Sequence, residues 1–288
     1  MKTNAIVRIV LFSLTILVLL GLLLAGLGFH SFSFDRDVKI ITAGEPGAEG
    51  VQGHVDAAQI HHLEIEWVAG DITILPNEKA TEITFYEDAV SDEKYAMHYS
   101  TSGDTLTIQF CRESISFPSF GVNISSSISK DLVITVPASW VCQDLELDTA
   151  AANLEIRDLN IRAIDFDGAA GTFDLVNCTV GDMDIDTASG DVTFSGVLDT
   201  LDFDAASASF YGVLHNAPRF INMDGVSGAL DLTLPQDCGF TVDTSGLSSS
   251  FHSDFDTTQS GSTHVYGDGT CRISVDGVSC DVTIRKGE

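Results

Sequence analysis

The chain has 288 residues and carries 42 acidic against 14 basic side chains, which gives a net charge of −28. A surface this acidic repels nucleic acid and anionic lipid head groups, so neither is an expected partner. It attracts metal cations, basic proteins and cationic polymers, although acidity alone also keeps a protein in solution. Beyond the first thirty residues helix formers are scarce and Asp, Thr, Ser, Val, Ile and Phe dominate, a composition typical of an all-β protein.

The N-terminal segment predicts a single transmembrane helix. Residues 1–8 form a short basic segment, and residues 9–29 form a run of 21 residues without a charge. At about 1.5 Å rise per residue this run spans roughly 30 Å of hydrocarbon. Because the basic residues precede the helix, we expect a cytoplasmic N-terminus, with everything after Phe29 extracytoplasmic in the cell membrane. A cleaved signal sequence stays an alternative, since Ala25 to Gly28 offers small residues for a peptidase.

Residues 30–58 lack hydrophobic periodicity and are rich in Gly, which predicts a flexible tether. A single domain, residues 59–288, is predicted to follow, and it opens with the alternation Leu63 to Glu66. We expect further strands at residues 82–86, 95–100, 105–110 and 132–136, and a serine-rich loop at 114–129. Terminal repeats are usually atypical, so residues 59–140 are interpreted as the irregular end of a repeat structure.

One short phrase is written six times between residues 145 and 243. It alternates apolar and polar residues, ends in Asp, and recurs every 18 to 20 residues. The copies are Leu145–Asp148, Ile164–Asp167, Met183–Asp186, Leu201–Asp204, Ile221–Asp224 and Phe240–Asp243. Each is followed by a small-residue turn and a second apolar alternation, so the unit is strand, turn, strand. One copy cannot bury its apolar face alone, which predicts a β-solenoid of stacked repeats with a period of about 19 residues.

In the C-terminal part of the chain, a longer segment separates the copies of the phrase. Residues 246–263 are mostly Ser, Gly, Thr and Asp and predict an excursion loop. The phrase then returns at Ile273, and the chain ends soon afterwards. We therefore expect this last copy to close the solenoid.

Alternation along the strands places the acidic residues of each phrase on the outer face. Copies stacked in register at about 4.8 Å form a stripe of like charges, which is destabilising unless something offsets it. The candidate metal-binding residues are Asp148, Asp165, Asp167, Asp184, Asp186, Asp202 and Asp204. One hypothesis is Ca²⁺, which takes about six to eight oxygen ligands. The other is turn capping by the phrase-final aspartates, and the absence of the calcium β-roll phrase Gly-Gly-x-Gly-x-Asp favours it.

The six cysteines all fall on the predicted extracytoplasmic side, where disulfides are permitted. Six cysteines allow many pairings, among which the sequence does not choose, and buried free thiols are an equal alternative. Neither Cys-x-x-Cys nor a Cys-His spacing suited to zinc occurs. The sequence therefore predicts no cofactor other than calcium.

No catalytic motif appears in the sequence. It lacks Gly-x-Ser-x-Gly, a phosphate loop, His-Glu-x-x-His and a dinucleotide fingerprint. A β-helix can host paired carboxylates that act on polysaccharide, as in lyases and glycosidases. Catalysis needs carboxylates in unlike environments, however, and here they repeat in every copy. The pattern indicates structure or multivalent binding rather than an enzyme.

Three features together resemble a known bacterial family. They are the repeated phrase with its Ser-Gly turn, the opening Ala69 to Ile74, and Leu132 to Pro137 before the repeats. They are similar to the β-strand-repeat domains of candidate adhesins, a family catalogued as a domain of unknown function. The resemblance covers roughly residues 59–288 and implies a β-solenoid ectodomain behind one membrane helix, without catalytic residues. The cysteines and the heavy Asp content depart from the family and leave a shared ligand open.

These observations predict a membrane-anchored, extracytoplasmic β-solenoid that binds without catalysis in a bacterial cell envelope. The expected partners are the membrane, through residues 9–29, and a cell-wall polymer, a matrix component or an envelope protein. The oligomeric state stays open. Two rival hypotheses are a polysaccharide-active β-helix enzyme and a scaffold that assembles end to end.

Overall fold

The structure is a computed structural model that describes residues 42–43, 45–46, 50–88, 96–111 and 129–287. Within these ranges no helix is long and apolar enough to cross a membrane. The predicted transmembrane helix at 9–29, the residues before it and most of the predicted serine-rich loop lie outside the described residues.

In the part of the chain that the structure describes, seventeen strands form one sheet. In chain order they are β1 (Thr42–Ala43), β2 (Glu45–Pro46), β3 (Gly50–Asp56), β4 (His62–Asn77), β5 (Glu82–Asp88), β6 (His98–Ser102), β7 (Thr105–Gln109), β8 (Leu132–Pro137), β9 (Val141–Arg157), β10 (Asn160–Ala170), β11 (Phe173–Leu214), β12 (Phe220–Leu234), β13 (Phe240–Gly246), β14 (Phe251–Ser253), β15 (Thr258–Ser260), β16 (Thr263–Tyr266) and β17 (Cys271–Lys286). Strands β5 to β8 fall where alternation predicts them, and the all-β class is confirmed.

The long strands wind into parallel rungs that stack in register. Asp165 of β10 lies opposite Glu146 of β9 on one side and opposite Asp184 of β11 on the other. Strand β11 is long enough to form two rungs. Its residues 182 and 200 lie on neighbouring rungs, since the Thr200 hydroxyl donates to Asp182 Oδ1 at 2.6 Å. The second of these rungs pairs with β12. Each winding of the chain advances one rung, and the predicted β-solenoid is confirmed.

The order of rungs in space departs from chain order at both ends. At the N-terminal end, β4 lies between β9 on one side and β7 with β8 on the other. At the C-terminal end, β17 lies between β12 and β13. The prediction that the last copy of the phrase closes the solenoid is therefore wrong. Strands β13 and β14 form the outer rung beyond β17, and the antiparallel strands β15 and β16 extend the sheet beyond β13.

Strand lengths explain the inner position of β17. It pairs with β12 from Phe220 to Leu234, whereas β13 has only 7 residues before the chain leaves the rung. A long strand buries more backbone and apolar surface between two neighbours than a short one does. Strand β13 also pairs out of phase with the phrase, because Asp243 lies opposite Ser274. The sixth copy consequently does not continue the row of aspartates.

The inward residues of the phrases fill one continuous core. From rung to rung the first inward position is occupied by Leu145, Ile164, Met183, Leu201, Ile221 and Ile273, each at most 2% exposed. Aromatic rings fill the wider places, as where Phe166 stacks on Phe173 with centroids 4.6 Å apart. Because each rung covers the apolar surface of its neighbours, no repeat is expected to fold alone.

A column of small residues forms one corner of the solenoid, which we call the small-residue corner. It consists of Gly70, Ala152, Gly171, Gly190, Ala208, Gly228 and Cys280. Backbone carbonyl groups of neighbouring rungs approach this column closely, and a Cβ on Gly171 would lie 1.9 Å from the Ala152 oxygen. The small-residue turns of the sequence thus have a steric cause.

Strand β3 lies within the segment predicted to be a flexible tether. It pairs antiparallel with β5 over its 7 residues. Its buried position is Gly53, where a Cβ would lie 2.3 Å from Cε2 of Phe85 and 2.8 Å from Cε1 of Tyr99. A glycine makes room for these two rings, and the strand therefore lacks the apolar alternation by which a strand is predicted.

A buried ion pair holds the N-terminal end together. Lys130 Nζ contacts Glu87 Oε2, donates to the Phe110 carbonyl oxygen at 2.5 Å, and lies over the ring of Phe110 at 4.2 Å. Trp67 covers it from another side at 4.6 Å, and the Met97 N–H donates to Glu87 Oε1 at 2.7 Å. Burial raises the pKa of Glu87 and lowers the pKa of Lys130, and the attraction between the two opposes both shifts.

Candidate functional site

The outward positions of the phrase stack into two columns of carboxylates, which we call the acidic face. The first column contains Glu64, Glu146, Asp165, Asp184 and Asp202, and the second contains Glu66, Asp148, Asp167, Asp186, Asp204, Asp224 and Asp276. Members of one column lie on successive rungs, which are about 4.8 Å apart in a β-sheet. All seven aspartates predicted as candidate ligands lie on this face.

The acidic face extends further than the sequence predicted. Asp224 and Asp276 lie opposite each other and lengthen the second column, because β17 inserts beside β12. Each ends a copy of the phrase, and this was the signal that could have identified both. At the other end, β4 pairs with β9 and places Glu64 and Glu66 in the two columns, as the alternation of Leu63 to Glu66 predicts.

Neutral hydrogen-bond donors lie at the ends of the columns. The Thr107 hydroxyl donates to Glu64 Oε2 at 3.0 Å, and the Gln109 amide donates to Glu66 Oε2 at 2.8 Å. At the far end of the first column, Asn222 Nδ2 donates to Asp202 Oδ1 at 2.8 Å. Carboxylates of like charge are therefore stacked in the middle of the face, and neutral donors reduce the repulsion at its ends.

The carboxylates in the middle of the acidic face raise one another's pKa values. Burial, followed by the charges of neighbouring aspartates, raises the pKa of Asp167, Asp184 and Asp186 above the ordinary range. The effect is largest at Asp204, where burial and then the charge of Asp224 raise the pKa to about 6. Asp204 Oδ1 is also buried without a hydrogen-bond partner in the described part of the chain. The face stores electrostatic repulsion at neutral pH.

Turn capping is the other role predicted for the phrase-final aspartates Asp148, Asp167, Asp186 and Asp204. Strand pairing continues through the predicted turns, where residues 168 and 170 of β10 lie opposite residues 149 and 151 of β9. The backbone N–H groups of a paired segment bond to the neighbouring rung, so they do not require a side-chain acceptor. A capping carboxylate accepts backbone N–H hydrogen bonds, whereas the buried Oδ1 of Asp204 accepts none from the described residues.

Carboxylates that accept hydrogen bonds from backbone N–H groups occur instead just after the small-residue turn of a repeat. Asp191 Oδ1 accepts from the N–H of Ser209 at 3.2 Å, and Asp281 Oδ1 accepts from the N–H of Ser250 at 3.1 Å. Each of these bonds joins two different rungs. Some aspartates of this chain are thus structural, but they belong to the second strand of the repeat.

A shallow groove of about 680 Å³ runs along the first column. Its floor includes Asp165, Asp184 and Asp202, and a basic side chain stands at each end. His62 Nδ1 lies 2.7 Å from Asp144 Oδ2 at one end, and Arg219 Nη2 lies 3.3 Å from Asp199 Oδ2 at the other. Between these ends the groove offers an elongated ligand a row of carboxylates.

The acidic face is an array more than a chelating centre. In the described ranges, no group of three or more His, Cys, Asp or Glu side chains is arranged to hold a metal ion. Ca²⁺ typically takes about six to eight oxygen ligands, more than one carboxylate pair across two rungs supplies. Binding of Ca²⁺ by Asp148, Asp165, Asp167, Asp184, Asp186, Asp202 and Asp204 stays a prediction.

Asp204→Asn is expected to stabilise the protein at neutral pH. A carboxylate whose pKa is raised from 3.8 to about 6 on folding destabilises the folded state when both states are ionised. This penalty shrinks as the pH falls below about 6 and is lost near pH 3.8. Two pKa units correspond to roughly 3 kcal/mol, but the side chain is partly exposed, so we expect about 1 kcal/mol after solvent screening.

The measurement is urea unfolding of the parent and of Asp204→Asn at pH 7.5 and pH 5. The advantage of the variant should be present at pH 7.5 and smaller at pH 5. Asp237→Asn removes the same charge from an exposed turn and should change neither value. Equal effects of the two substitutions would show that ionised Asp204 does not destabilise the folded state.

The stacked parallel rungs define the chain as a β-solenoid of the repeat class. Residues 55–207, more than half of the chain, match the family described as Toastrack DUF4097. The chain therefore belongs to this family, whose function is unknown, and the predicted resemblance is confirmed.

Solved structures of low sequence identity are also similar to this chain. A candidate cell adhesion protein from Clostridium sporogenes is 13% identical with a TM-score of 0.38, covering 82% of this chain and 99% of its own. A candidate adhesin from Bacteroides fragilis is 15% identical with a TM-score of 0.46, covering 84% and 99%. A candidate lipid-binding protein from Parabacteroides distasonis is 11% identical with a TM-score of 0.33, covering 84% and 98%. Similarity this low carries no argument about function. No curated protein matches the chain.

Proposed function

We propose that this protein is a non-catalytic, adhesin-like binding module whose acidic face receives a partner with repeated positive charges. The observation that carries the proposal is the register of the rungs, which aligns Glu146, Asp165 and Asp184 in one column along an open groove. A stiff sheet holds these charges at a spacing of about 4.8 Å. A basic polymer or a basic protein surface complements such an array, and each contact relieves repulsion within the column.

The electrostatics of the face support binding over catalysis. Acid/base catalysis by two carboxylates needs environments that move their pKa values apart. Here the pKa values of Asp167, Asp184, Asp186 and Asp204 all move upward for the same two reasons, burial and neighbouring negative charge. A repeated shift in one direction suits a surface that becomes charged as a whole.

The proposed location rests on the sequence alone. The uncharged run at residues 9–29 supports a single-pass anchor, with residues 59–288 held outside the membrane in the cell envelope. There the module would meet a wall polymer, a matrix component or an envelope protein. Protease added to intact cells should then remove the β-solenoid from full-length protein. Protection in intact cells, with cleavage only after lysis, would contradict the location.

Binding is tested on the purified full chain in detergent, with poly-L-lysine of defined length as the probe. The face variant carries Asp165→Asn, Asp184→Asn and Asp202→Asn. The off-face variant carries Glu78→Gln, Asp237→Asn and Asp256→Asn, which remove the same charge from exposed positions elsewhere. Each exposed charge contact is worth about 0.5–1 kcal/mol, so the loss of three contacts should weaken binding of the face variant roughly tenfold to a hundredfold.

The off-face variant should bind like the parent. Loss of binding through unfolding is not expected in the face variant, because its substitutions relieve repulsion. If both variants lose affinity equally, only the net charge of the chain matters, and the acidic face is not the binding surface.

A further inference from the structure

Two cysteines meet at the outer C-terminal rung. Cys238 lies just before β13, and Cys271 is the first residue of β17. Both are buried, at 3% and 1% exposure, and both are thiols in this structure. On an inner rung, the Cys142 thiol donates to the carbonyl oxygen of Asp144 at 3.2 Å.

The backbone brings the two cysteines around a single carbonyl group. The Gly239 oxygen accepts a hydrogen bond from the N–H of Cys271 at 3.0 Å and lies 3.9 Å from Cys238 Sγ. Phe240, the next residue, pairs directly with Cys271. The two thiols are hydrogen-bonded to each other. Cys238 directly precedes Gly239, so the two thiols lie side by side at the start of the outer rung.

We propose that Cys238 and Cys271 form a disulfide that fastens the outer rung of the solenoid to β17. The oxidant is a disulfide R–S–S–R from outside the protein. The Cys238 thiolate attacks one sulfur of R–S–S–R and releases one R–S⁻, which takes up a proton. Cys271, deprotonated, then attacks the Cys238 sulfur of the mixed disulfide and releases the second R–S⁻. Two thiols of the protein are oxidised, and one external disulfide is reduced to two thiols.

The contact between the thiols changes the acidity of both. The hydrogen bond from Cys271 lowers the pKa of Cys238, and the same bond with burial raises the pKa of Cys271. The thiolate is the attacking form, so a hydrogen bond between the two thiols favours the exchange. Both sulfurs are buried, so exchange takes place during folding or when the outer rung opens locally.

The disulfide would close the base of an excursion. Between the two cysteines the chain leaves the rung after Gly246 and forms the short strands β14, β15 and β16 before returning as β17. Strand β13 pairs with β17 on one side and with β16, a strand of the excursion, on the other. In the described residues no further rung covers this end, and the end of a stacked sheet opens most readily. The proposal concerns this end of the solenoid and is independent of what the acidic face binds.

The positions of basic residues make the test direct. Cleavage after Arg219 and Arg272 releases residues 220–272 as one tryptic peptide that contains Cys238 and Cys271 and no other cysteine. The purified full chain is incubated with oxidised glutathione, denatured without reductant, alkylated and digested. We expect this peptide to be about 2 Da lighter than its dithiol form and unalkylated. Reduction before alkylation should then label both cysteines.

The other cysteines serve as an internal control. Cys111, Cys142, Cys178 and Cys280 fall in four different tryptic peptides and should remain alkylated without reduction. Cys271→Ser should leave Cys238 free or joined to glutathione. Full alkylation of Cys238 and Cys271 in the parent after oxidation would overturn the proposal, as would a stable glutathione adduct on Cys238 in the parent. Because the parent provides the readout, a variant that folds poorly does not obscure the result.

Discussion

Lys130→Met is expected to destabilise the protein by about 3–5 kcal/mol, because it leaves the Glu87 carboxylate buried without its charge partner. Glu87 is 0% exposed, and its remaining hydrogen bond comes from the N–H of Met97. The substitution also removes a cation from the faces of Trp67 and Phe110. Methionine fills a similar volume, so the loss reports charge more than packing. Urea unfolding at pH 7.5 measures it.

Two further variants separate the ion pair from its surroundings. Adding Glu87→Gln to Lys130→Met removes the unpaired charge and keeps an acceptor for the Met97 N–H, so at least half of the lost stability should return. Lys79→Met changes an exposed lysine and should cost within about 0.5 kcal/mol. If Lys130→Met were no worse than Lys79→Met, the buried pair would not hold the N-terminal rungs.

Gly190→Ala is expected to cost about 3 kcal/mol or more. Gly190 has φ +128°, a conformation in which a side chain is strained, and an added Cβ would lie 1.9 Å from the carbonyl oxygen of Gly171. That oxygen belongs to the neighbouring rung, so relief of the clash requires two rungs to separate. The damage should therefore reach the middle of the stack, and it is measured as a fall in the urea midpoint.

Ala208→Gly is the matched control in the same small-residue corner. It adds no atom and changes only backbone freedom, which costs about 0.5–1 kcal/mol in a strand. If Gly190→Ala and Ala208→Gly have equal effects, the corner is more open than the structure shows.

Features that repeat along the chain could be predicted from the sequence. A constant period aligns equivalent positions, so the juxtaposition of Asp165 and Asp184 follows from counting residues. The inward and outward faces follow from alternation, and both survive in every rung from β9 to β12.

Features that join distant segments could not be predicted in this way. The pairing of β17 with β12 brings together Asp224 and Asp276, which lie 52 residues apart with β13 between them in the chain. Strand β3 is recognisable only once Phe85 and Tyr99 are seen to need the space at Gly53. The buried position of Lys130 likewise depends on Trp67, far away in the chain. Strand periodicity carries no information about contacts of this kind.

The most direct test of the acidic face is a thermal melt of the full chain and of its face variant. Both are melted in detergent at fixed ionic strength with chelator, with Mg²⁺ and with Ca²⁺. A coupled array of carboxylates predicts that either divalent ion raises the midpoint of the parent and raises that of the face variant much less. A rise with Ca²⁺ alone would identify discrete calcium sites among the predicted aspartates. Equal shifts in the two proteins, or no shift in either, would contradict a cation-binding role for this face.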